Sequence, residues 1–352
     1  MDNNHQNTGR LSRRGFVAGG TVASVGVIAG CTGDSGDLDD NTYSGDVTVT
    51  HWPDLMYNAP YHVALEQEYF AENGLDIEVV GSEGGGTTVR NVVDGGLPFG
   101  EVATPAAING YLAGSPIVAV AGGTQRVNEL NWVAPSGSDI ESMADLEGGT
   151  IGYVGAGSVT ETTSSLAVAA SDELDSADVE FQDLGGVGEG LTAVEDGAVD
   201  VAANMDPTFS DQQADDEPWQ VVFWAGDYLD QYQQTVIIAD PEIVEDHPDV
   251  VESYLAARAQ GIDDLRTDLD EAAEIFSEGT EGFSTDVMRN ALETVDPDEY
   301  YSSGAFDAEG LRLVEEAMYI TDLLDDEEEI EWEEIFDQSF VAEDERIDFD
   351  DI

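Results

Sequence analysis

The sequence predicts an α/β protein built from two similar lobes and a helical tail. Residues 47–132 and residues 137–230 each alternate short β-branched runs with segments whose apolar residues recur at helical spacing. Such alternation is typical of parallel sheets covered by helices. From residue 235 the pattern becomes helical, and we expect residues 235–352 to complete the first lobe. The chain would then cross between the lobes twice, near residues 131–134 and 233–239.

The first lobe is predicted to begin at Val47, and its strands lead into helices. An unbroken Val, Ala and Ile run is its last strand, as expected for a strand buried on both faces. Thr104 is a good helix cap and Pro105 suits a first turn, so a helix starts there. The predicted strands are 47–50, 76–80, 97–102 and 116–121, and the predicted helices are 60–70, 84–93 and the segment from Thr104.

The same order of elements restarts after residue 137. The glycine-rich segment from Gly155 to Gly157 opens a helix that runs to Ala170. The predicted strands are 150–154, 179–184, 199–203, 220–224 and 235–239. The predicted helices are 140–146, 155–170 and 190–195, and then 249–268, 270–278, 285–295, 307–324 and 331–340 in the tail. The last of these has an apolar face despite its many acidic residues.

The charge of the chain is extreme. Its 352 residues include 77 acidic side chains and 10 basic ones, all arginine, for a formal net charge of −67. A chain without lysine cannot form a Schiff base with pyridoxal phosphate, and we expect no cofactor. Such a surface repels phosphate, which excludes nucleic acid as a partner. Because the screening length falls to about 3 Å at 1 M salt, this composition indicates the protein of an extreme halophile.

The first 46 residues are predicted to be an export signal and a tether. Residues 1–30 combine an Arg13-Arg14 pair, an uncharged stretch too short to span a bilayer and small residues before Cys31. This order resembles a twin-arginine lipoprotein signal, so we expect export by that route and lipid attachment at Cys31 on the extracellular face of the cytoplasmic membrane. The alternative for this lone cysteine is a free thiol. Residues 31–46 are acidic and predicted to be flexible.

Several segments resemble one family of transport proteins. The clearest is residues 68–80, EYFAENGLDIEVV, followed by Gly84-Gly85-Gly86, the run 113–121 and DLEGGTIG at 145–152. Over residues 47–275 the chain resembles the solute-binding proteins of nitrate, sulfonate, taurine and thiamine-precursor transporters. The resemblance implies a type II periplasmic-binding-protein fold, with a small-molecule ligand held in the cleft between two lobes. It also implies delivery to the permease and ATPase subunits of an ABC importer, and we expect a membrane-anchored monomer that is not an enzyme.

Ligand contacts are expected where strands lead into helices. Open α/β sheets bind ligands beyond the carboxyl ends of their strands, where helix N-termini point amides into the crevice. Trp52, directly after the first strand, offers a stacking face, and its alternative role is a plug in the core or hinge. In the first lobe the candidates are Trp52, Tyr57, Asn58, Gly85, Gly86, Thr87, Glu101, Ala103, Thr104 and Arg126. In the second lobe they are Gly157, Ser158, Val159, Asn204, Asp206, Asp227 and Tyr228.

The polar candidates have structural alternatives. Thr104 and Ser158 can serve as helix caps alone, as the glycines can form tight turns. Glu101 is a carboxylate inside a predicted buried strand, so it either faces an outer surface or accepts from an amino group of the ligand. Asp206 accepts in the same way or caps the turn before Pro207.

The balance of charge in the predicted cleft favours a neutral or cationic ligand, such as a thiamine-precursor-like pyrimidine or another N-heterocycle. An anion such as sulfonate, taurine or nitrate is the alternative, and it would be held by amides and an arginine. Arg90 lies within a helix and is expected to face solvent. Arg126 follows a strand end and is better placed.

Two other classes of function stay open. An enzyme of pyrimidine synthesis would resemble this chain but would need a lysine-bound cofactor, and His51, His62 and His247 lack metal-binding spacing. We therefore expect no metal site. A surface-attached adhesion protein would lack the two-lobe alternation or have its cleft filled by side chains.

Overall fold

A computed structural model describes residues 37–39, 42–215, 218–280, 282–325 and 329–352. The predicted export signal and Cys31 lie outside these residues. Within these ranges, no helix has both the length and the apolar character needed to cross a bilayer.

The strands form two sheets of equivalent order. They are β1 (Asp37–Asp39), β2 (Thr42–Thr50), β3 (Leu75–Ser82), β4 (Phe99–Ala103), β5 (Val118–Thr124), β6 (Leu130–Pro135), β7 (Thr150–Tyr153), β8 (Glu180–Asp183), β9 (Val201–Met205), β10 (Trp219–Trp224) and β11 (Thr235–Ala239). The first sheet has the order β3, β2, β4, β11 and β5, with β1 as a hairpin on β2. The second sheet has the order β8, β7, β9, β6 and β10.

Helices connect and cover these strands. They are α1 (Ala59–Glu66), α2 (Tyr69–Glu72), α3 (Gly85–Val93), α4 (Thr104–Leu112), α5 (Val159–Ala170), α6 (Val187–Glu195), α7 (Thr208–Asp215), α8 (Pro241–Asp246), α9 (Pro248–Thr267), α10 (Leu269–Gly279), α11 (Thr285–Val295), α12 (Pro297–Tyr300), α13 (Ala308–Ile320) and α14 (Trp332–Ile335). Pro105 is in the first turn of α4, and the Ser158 side chain accepts from the Glu161 amide before α5. Thr104 is not the predicted cap: Ala103 precedes α4, Thr104 is its first residue, and the buried Thr104 hydroxyl has no partner among the described residues.

The sheets are mixed, whereas the sequence pattern predicted parallel ones. In the first sheet β11 runs antiparallel to β4 and β5, and in the second sheet β6 runs antiparallel to β9 and β10. The reason is that each of these strands follows a passage of the chain from the other sheet and is inserted against the direction of its neighbours.

The chain passes between the sheets in two crossing segments, residues 125–129 and 225–234. They run side by side: the Tyr232 amide donates to the Gln125 carbonyl over 3.3 Å, and the Gln234 amide donates to the Thr124 carbonyl over 2.9 Å. The predicted boundary at residue 132 falls inside β6, all of which pairs within the second sheet.

The helical tail contacts the helices of both sheets. In this tail, α13 packs against α5 beside the second sheet and α4 beside the first, while α11 packs against α7. One hydrophobic cluster accordingly contains Val102 of β4, Trp132 of β6 and Met318 of α13, all fully buried. Within residues 235–352, β11 pairs in the first sheet and α9 and α10 pack against α1, whereas α11 and α13 contact helices beside the second sheet.

Three predicted segments have a different structure, and the first is the helix predicted at 140–146, which is a 3-10 turn, Met143–Leu146. Residues 42–46, predicted to belong to the flexible tether, form the start of β2 and pair with β3, and Tyr43 is buried there. The helix predicted at 331–340 is reduced to the single turn α14 and a 3-10 turn, Gln338–Phe340. The backbone between these turns bonds instead to β5, where the Asp337 amide donates to the Ala119 carbonyl over 2.8 Å.

Candidate ligand-binding cleft

A cleft of about 870 Å³ lies between the two sheets at the carboxyl ends of their strands. Its walls are mainly the segments that lead from strands into helices. The first sheet contributes residues 50–51, 83–86, 103 and 106, and the second contributes residues 154–160, 185–187 and 205–206. Glu129 and Gln234 line the same cleft from the two crossing segments.

The N-terminus of α3 lies on the first-sheet wall. Gly85 and Gly86 line the cleft, and no side chain caps this helix, so its first N–H groups are available to a ligand. Glycine is needed at position 85 because a Cβ there would lie 2.4 Å from the Cβ of Ala106 in α4. The close approach of α3 and α4 therefore fixes the position of this helix end.

On the opposite wall, loop amides already have acidic partners. The Ala156 amide donates to Asp183 Oδ2 over 3.3 Å, and the Gly157 amide donates to Glu161 Oε2 over 2.5 Å. The Gly185 amide donates to Asp183 Oδ1 over 2.9 Å. The second sheet thus offers fewer free donors to an anion than its architecture alone would suggest.

Glu129 is a carboxyl group buried at the cleft, with only 3% of its surface exposed. Its Oε1 accepts from the Tyr300 hydroxyl over 2.8 Å and from the Gln234 side-chain amide. Its Oε2 has no hydrogen-bond partner among the described residues. Burial raises the pKa of Glu129 to about 7, against the opposing effect of the hydrogen bonds from Gln234 and Tyr300.

Asp206 is a second buried carboxyl group at the cleft. Its Oδ1 accepts from the Ser210 amide over 3.1 Å and from the Ser210 hydroxyl over 2.6 Å. Within the described part of the chain, Oδ2 has no partner. Burial raises the pKa of Asp206 above its ordinary value. The described residues contain no cluster of three or more His, Cys, Asp or Glu side chains arranged to hold a metal ion.

Glu101 does not line the cleft, and both roles considered for it are wrong. It is fully buried behind the cleft, where it forms an ion pair with Arg258, Nε to Oε2 at 3.1 Å. The Tyr61 hydroxyl donates to Oε2 over 2.7 Å, and the Thr235 hydroxyl donates to Oε1 over 2.7 Å. With both oxygens occupied by protein donors, this carboxylate neither faces an outer surface nor offers an oxygen to a ligand.

Of the two arginines considered as partners of an anion, Arg90 lines the cleft and Arg126 does not, which is the reverse of the prediction. Arg126 does not line the cleft, and its guanidinium lies 3.9 Å from both Glu299 and Asp307. Arg90, expected to face solvent, is exposed but lines the cleft, where it donates to the Thr87 hydroxyl over 2.9 Å. It forms no ion pair with a carboxylate among the described residues.

Trp52 packs against protein side chains and does not line the cleft. Its ring stacks on His62 with centroids 4.1 Å apart and an interplanar angle of 14°. His62 Nε2 is 2.9 Å from the Pro53 carbonyl and must donate to it, and burial lowers the pKa of His62 to about 4. A neutral imidazole thus occupies the ring face of Trp52 that was expected to receive a ligand. Trp52 accordingly has the alternative role considered for it, packing in the protein interior.

The structure brings eight of the seventeen predicted site residues together. Tyr57, Gly85, Gly86, Ala103, Gly157, Ser158, Val159 and Asp206 line the cleft. The predicted residues that lie elsewhere are Trp52, Asn58, Thr87, Glu101, Thr104, Arg126, Asn204, Asp227 and Tyr228. Among them, Asn58 and Asn204 are buried and bond to the His51 carbonyl and to Gln212, and Tyr228 lines a separate surface depression.

Sequence reasoning missed the cleft residues of the crossing segments and the first residue of β11. Glu129, Gln234 and Thr235 line the cleft but do not lie between a strand and the helix that follows it. Glu129 carries a usable signal, since it is a lone acid between Val127 and the apolar strand β6. Gln234 has no such signal, because its position depends on the pairing of β11.

Comparisons with known proteins agree with this geometry. Residues 56–272 match the family model described as NMT1/THI5 like. The chain is 24% identical over 251 residues to the formylaminopyrimidine-binding protein of Halalkalibacterium halodurans, covering 71% of this chain and 74% of that protein. The periplasmic aliphatic sulphonate binding protein of Escherichia coli superposes with a TM-score of 0.68 at 16% identity, covering 84% of this chain and 92% of that one.

A second solved structure, the ligand-binding component of an ABC-type import system from Staphylococcus aureus with zinc bound, gives a TM-score of 0.67 at 12% identity, covering 84% of this chain and 97% of that one. These similarities confirm the periplasmic-binding-protein fold expected from the sequence. Because the family model covers more than half of the described residues and of the chain, the protein belongs to the NMT1/THI5-like family.

Proposed function

We propose that this protein is the solute-binding component of an ABC importer and captures a small N-heterocycle with N–H donors, such as an aminopyrimidine. The observation that carries the proposal is the pair of buried carboxyl groups that line the cleft, Glu129 and Asp206, each of which has one oxygen, Oε2 and Oδ2, without a donor among the described residues. A buried acceptor without a partner costs about 1–3 kcal/mol, and a ligand N–H removes that cost.

The charge distribution of the cleft supports a neutral or cationic ligand. The only arginine among its described lining residues is Arg90, which is exposed, whereas the buried lining residues include the two carboxyl groups of Glu129 and Asp206. On the second-sheet wall, Asp183 and Glu161 already accept from loop amides. An anion placed there would meet carboxylates behind the amides that should hold it.

The size and lining of the cleft suit a compact organic molecule. A volume of about 870 Å³ lies within the range of small-molecule sites. Leu55, Met56 and the ring of Tyr57 supply apolar surface, and the Tyr57 hydroxyl is held by the Thr50 carbonyl at 2.8 Å. The ring of Tyr57 therefore has a fixed position, as a wall for a flat heterocycle requires. The relative of known name is a formylaminopyrimidine-binding protein, which supports the same ligand class.

The proposed working place is the outer face of the cytoplasmic membrane. The Arg13-Arg14 pair and Cys31 support twin-arginine export and a lipid anchor, which would keep the receptor beside its permease and ATPase. The net charge of −67 supports function in concentrated salt, where the charges are screened. Neighbouring genes for a permease and an ATPase would support this role over surface adhesion.

A thermal-shift screen of the mature protein in molar salt tests the proposal. Aminopyrimidines of the hydroxymethyl and formylamino type should raise the unfolding temperature, because a ligand at a hundred times its Kd stabilises the native state by about 2.7 kcal/mol. Riboflavin, taurine, alkanesulfonates and nitrate complete the panel. Stabilisation by the anions alone would contradict the proposal, and chemical conversion of any bound solute would indicate an enzyme.

An anion such as sulfonate, taurine or nitrate is the second candidate, favoured by the uncapped N-terminus of α3 beside Arg90. The guanidinium of Arg90 is 4.0 Å from where a Cβ of Gly86 would lie, so both donors face one space. An Arg90→Gln variant separates the candidates. It should weaken an anion strongly and change aminopyrimidine affinity by less than about threefold, as expected for an exposed charge.

A further inference from the structure

Glu129 is the one described side chain at which the cleft, both crossing segments and the tail meet. It belongs to the first crossing segment, and its Oε1 bonds to Gln234 of the second and to Tyr300 of α12. Its Oε2 is buried without a described partner, and Glu129 is one of the residues that line the cleft. Oε1 therefore links the two crossing segments and α12 by hydrogen bonds, while Oε2 keeps its capacity to accept a hydrogen bond.

We propose that Glu129 is a specificity-determining residue that binds an N–H group of the ligand in its ionised form, so that ligand capture releases a proton. The inference rests on the proposed function. In the empty cleft below about pH 7 the carboxyl is mainly neutral and carries its proton as an O–H group. On binding, that O–H bond breaks, the proton leaves to solvent, and Oε2 accepts a hydrogen bond from the ligand nitrogen.

The surroundings of Glu129 supply the reason for this coupling. The ionisable groups that act on it are the carboxyl of Asp206 after β9, the phenol of Tyr57 before α1, and the phenols of Tyr300 and Tyr301 at the end of the α12 region. None of these described groups is a cation. Burial is the main reason that the empty site resists the carboxylate, and Asp206 adds to this effect while the hydrogen bonds from Gln234 and Tyr300 oppose it. The resulting pKa of Glu129, about 7, leaves a proton to be lost near neutral pH.

The raised pKa of Glu129 sets the direction in which ligand affinity changes with pH. A ligand N–H favours the carboxylate and lowers the pKa of Glu129 in the complex. Affinity should be constant above about pH 7 and should fall by up to tenfold for each pH unit below it. Ionisation should also strengthen the bonds from Gln234 and Tyr300, because charge-assisted hydrogen bonds are stronger. Ligand capture would thus tighten the link between the crossing segments.

Isothermal titration calorimetry of the mature protein with an aminopyrimidine, in molar salt, tests the inference. Titrations at pH 6 in two buffers of different ionisation enthalpy should give different heats, which report proton release. Glu129→Gln should lose the buffer-dependent heat and the pH dependence near pH 7, and should bind at least tenfold more weakly. The control Glu78→Gln removes a carboxylate exposed on β3 and should behave as the wild type.

A pyrimidine that lacks the amino group should bind weakly, and its affinity should not depend on pH near pH 7. Equal heats in both buffers together with unchanged affinity in Glu129→Gln would overturn the role of Glu129 but leave the proposed function standing. If no aminopyrimidine binds at any pH, both proposals fail. Should Glu129→Gln not fold, the buffer comparison on the wild type decides, because absence of proton release alone contradicts the inference.

Discussion

Replacing Arg258 by methionine tests the buried ion pair that lies behind the cleft. Arg258 is 2% exposed and Glu101 is fully buried, so removal of the guanidinium leaves a carboxylate in an apolar interior. Arg258 also donates to the carbonyls of Ser302 and Gly123, at 2.9 and 3.2 Å, and these acceptors lose their donor. Removing one partner of a buried ion pair costs about 3–5 kcal/mol, and we expect Arg258→Met to lower the free energy of unfolding by an amount in that range.

The assay is equilibrium unfolding by urea in molar salt, with Arg312→Met as the matched control. Arg312 also lies on a helix and pairs with Glu309 and Glu316 at 2.7 and 3.0 Å, but all three side chains are exposed. Its loss should cost less than about 1 kcal/mol. The double replacement Glu101→Leu and Arg258→Met should recover part of the stability. A cost below about 1 kcal/mol for Arg258→Met would refute this reasoning.

Three further variants test other parts of the structure. Trp52→Ala removes the ring stacked on His62 and should lower the free energy of unfolding by about 2–3 kcal/mol. Its ligand affinity, measured by calorimetry, should change little. Loss of binding with unchanged stability would contradict this expectation. Gly85→Val should destabilise by about 1–3 kcal/mol in urea unfolding and weaken binding, since α3 must move away from Ala106, and a wild-type result would be inconsistent with the close approach. Asp206→Asn should weaken an aminopyrimidine by about tenfold in dialysis, as expected for the loss of one charge-assisted hydrogen bond, and tighter binding would contradict the proposed acceptor role.

The fold was largely predictable because its local signals are consistent. The run from Val118 forms β5, the glycine-rich segment at 84–86 forms the start of α3, and the segment at 155–157 precedes α5. Periodicity and caps act within one element, so a sequence pattern can reveal them. The antiparallel insertion of β6 and β11 was not predictable in this way, because pairing partners lie far apart in the chain.

The site was predictable where it follows from topology and not where it follows from long-range partners. Junction residues such as Gly157 and Asp206 line the cleft because every parallel strand ends there. Glu101 looked like a ligand contact because a lone acid in a buried strand needs a partner. That partner is Arg258, distant in sequence, and no local pattern indicates it.

Equilibrium dialysis of the mature protein against an aminopyrimidine in molar salt tests the central claim most directly. We predict saturation at one molecule per chain, with binding that excess taurine or nitrate does not displace. No retention of the aminopyrimidine, or its displacement by these anions, would contradict the claim that the cleft holds a donor-bearing heterocycle on its buried carboxyl groups.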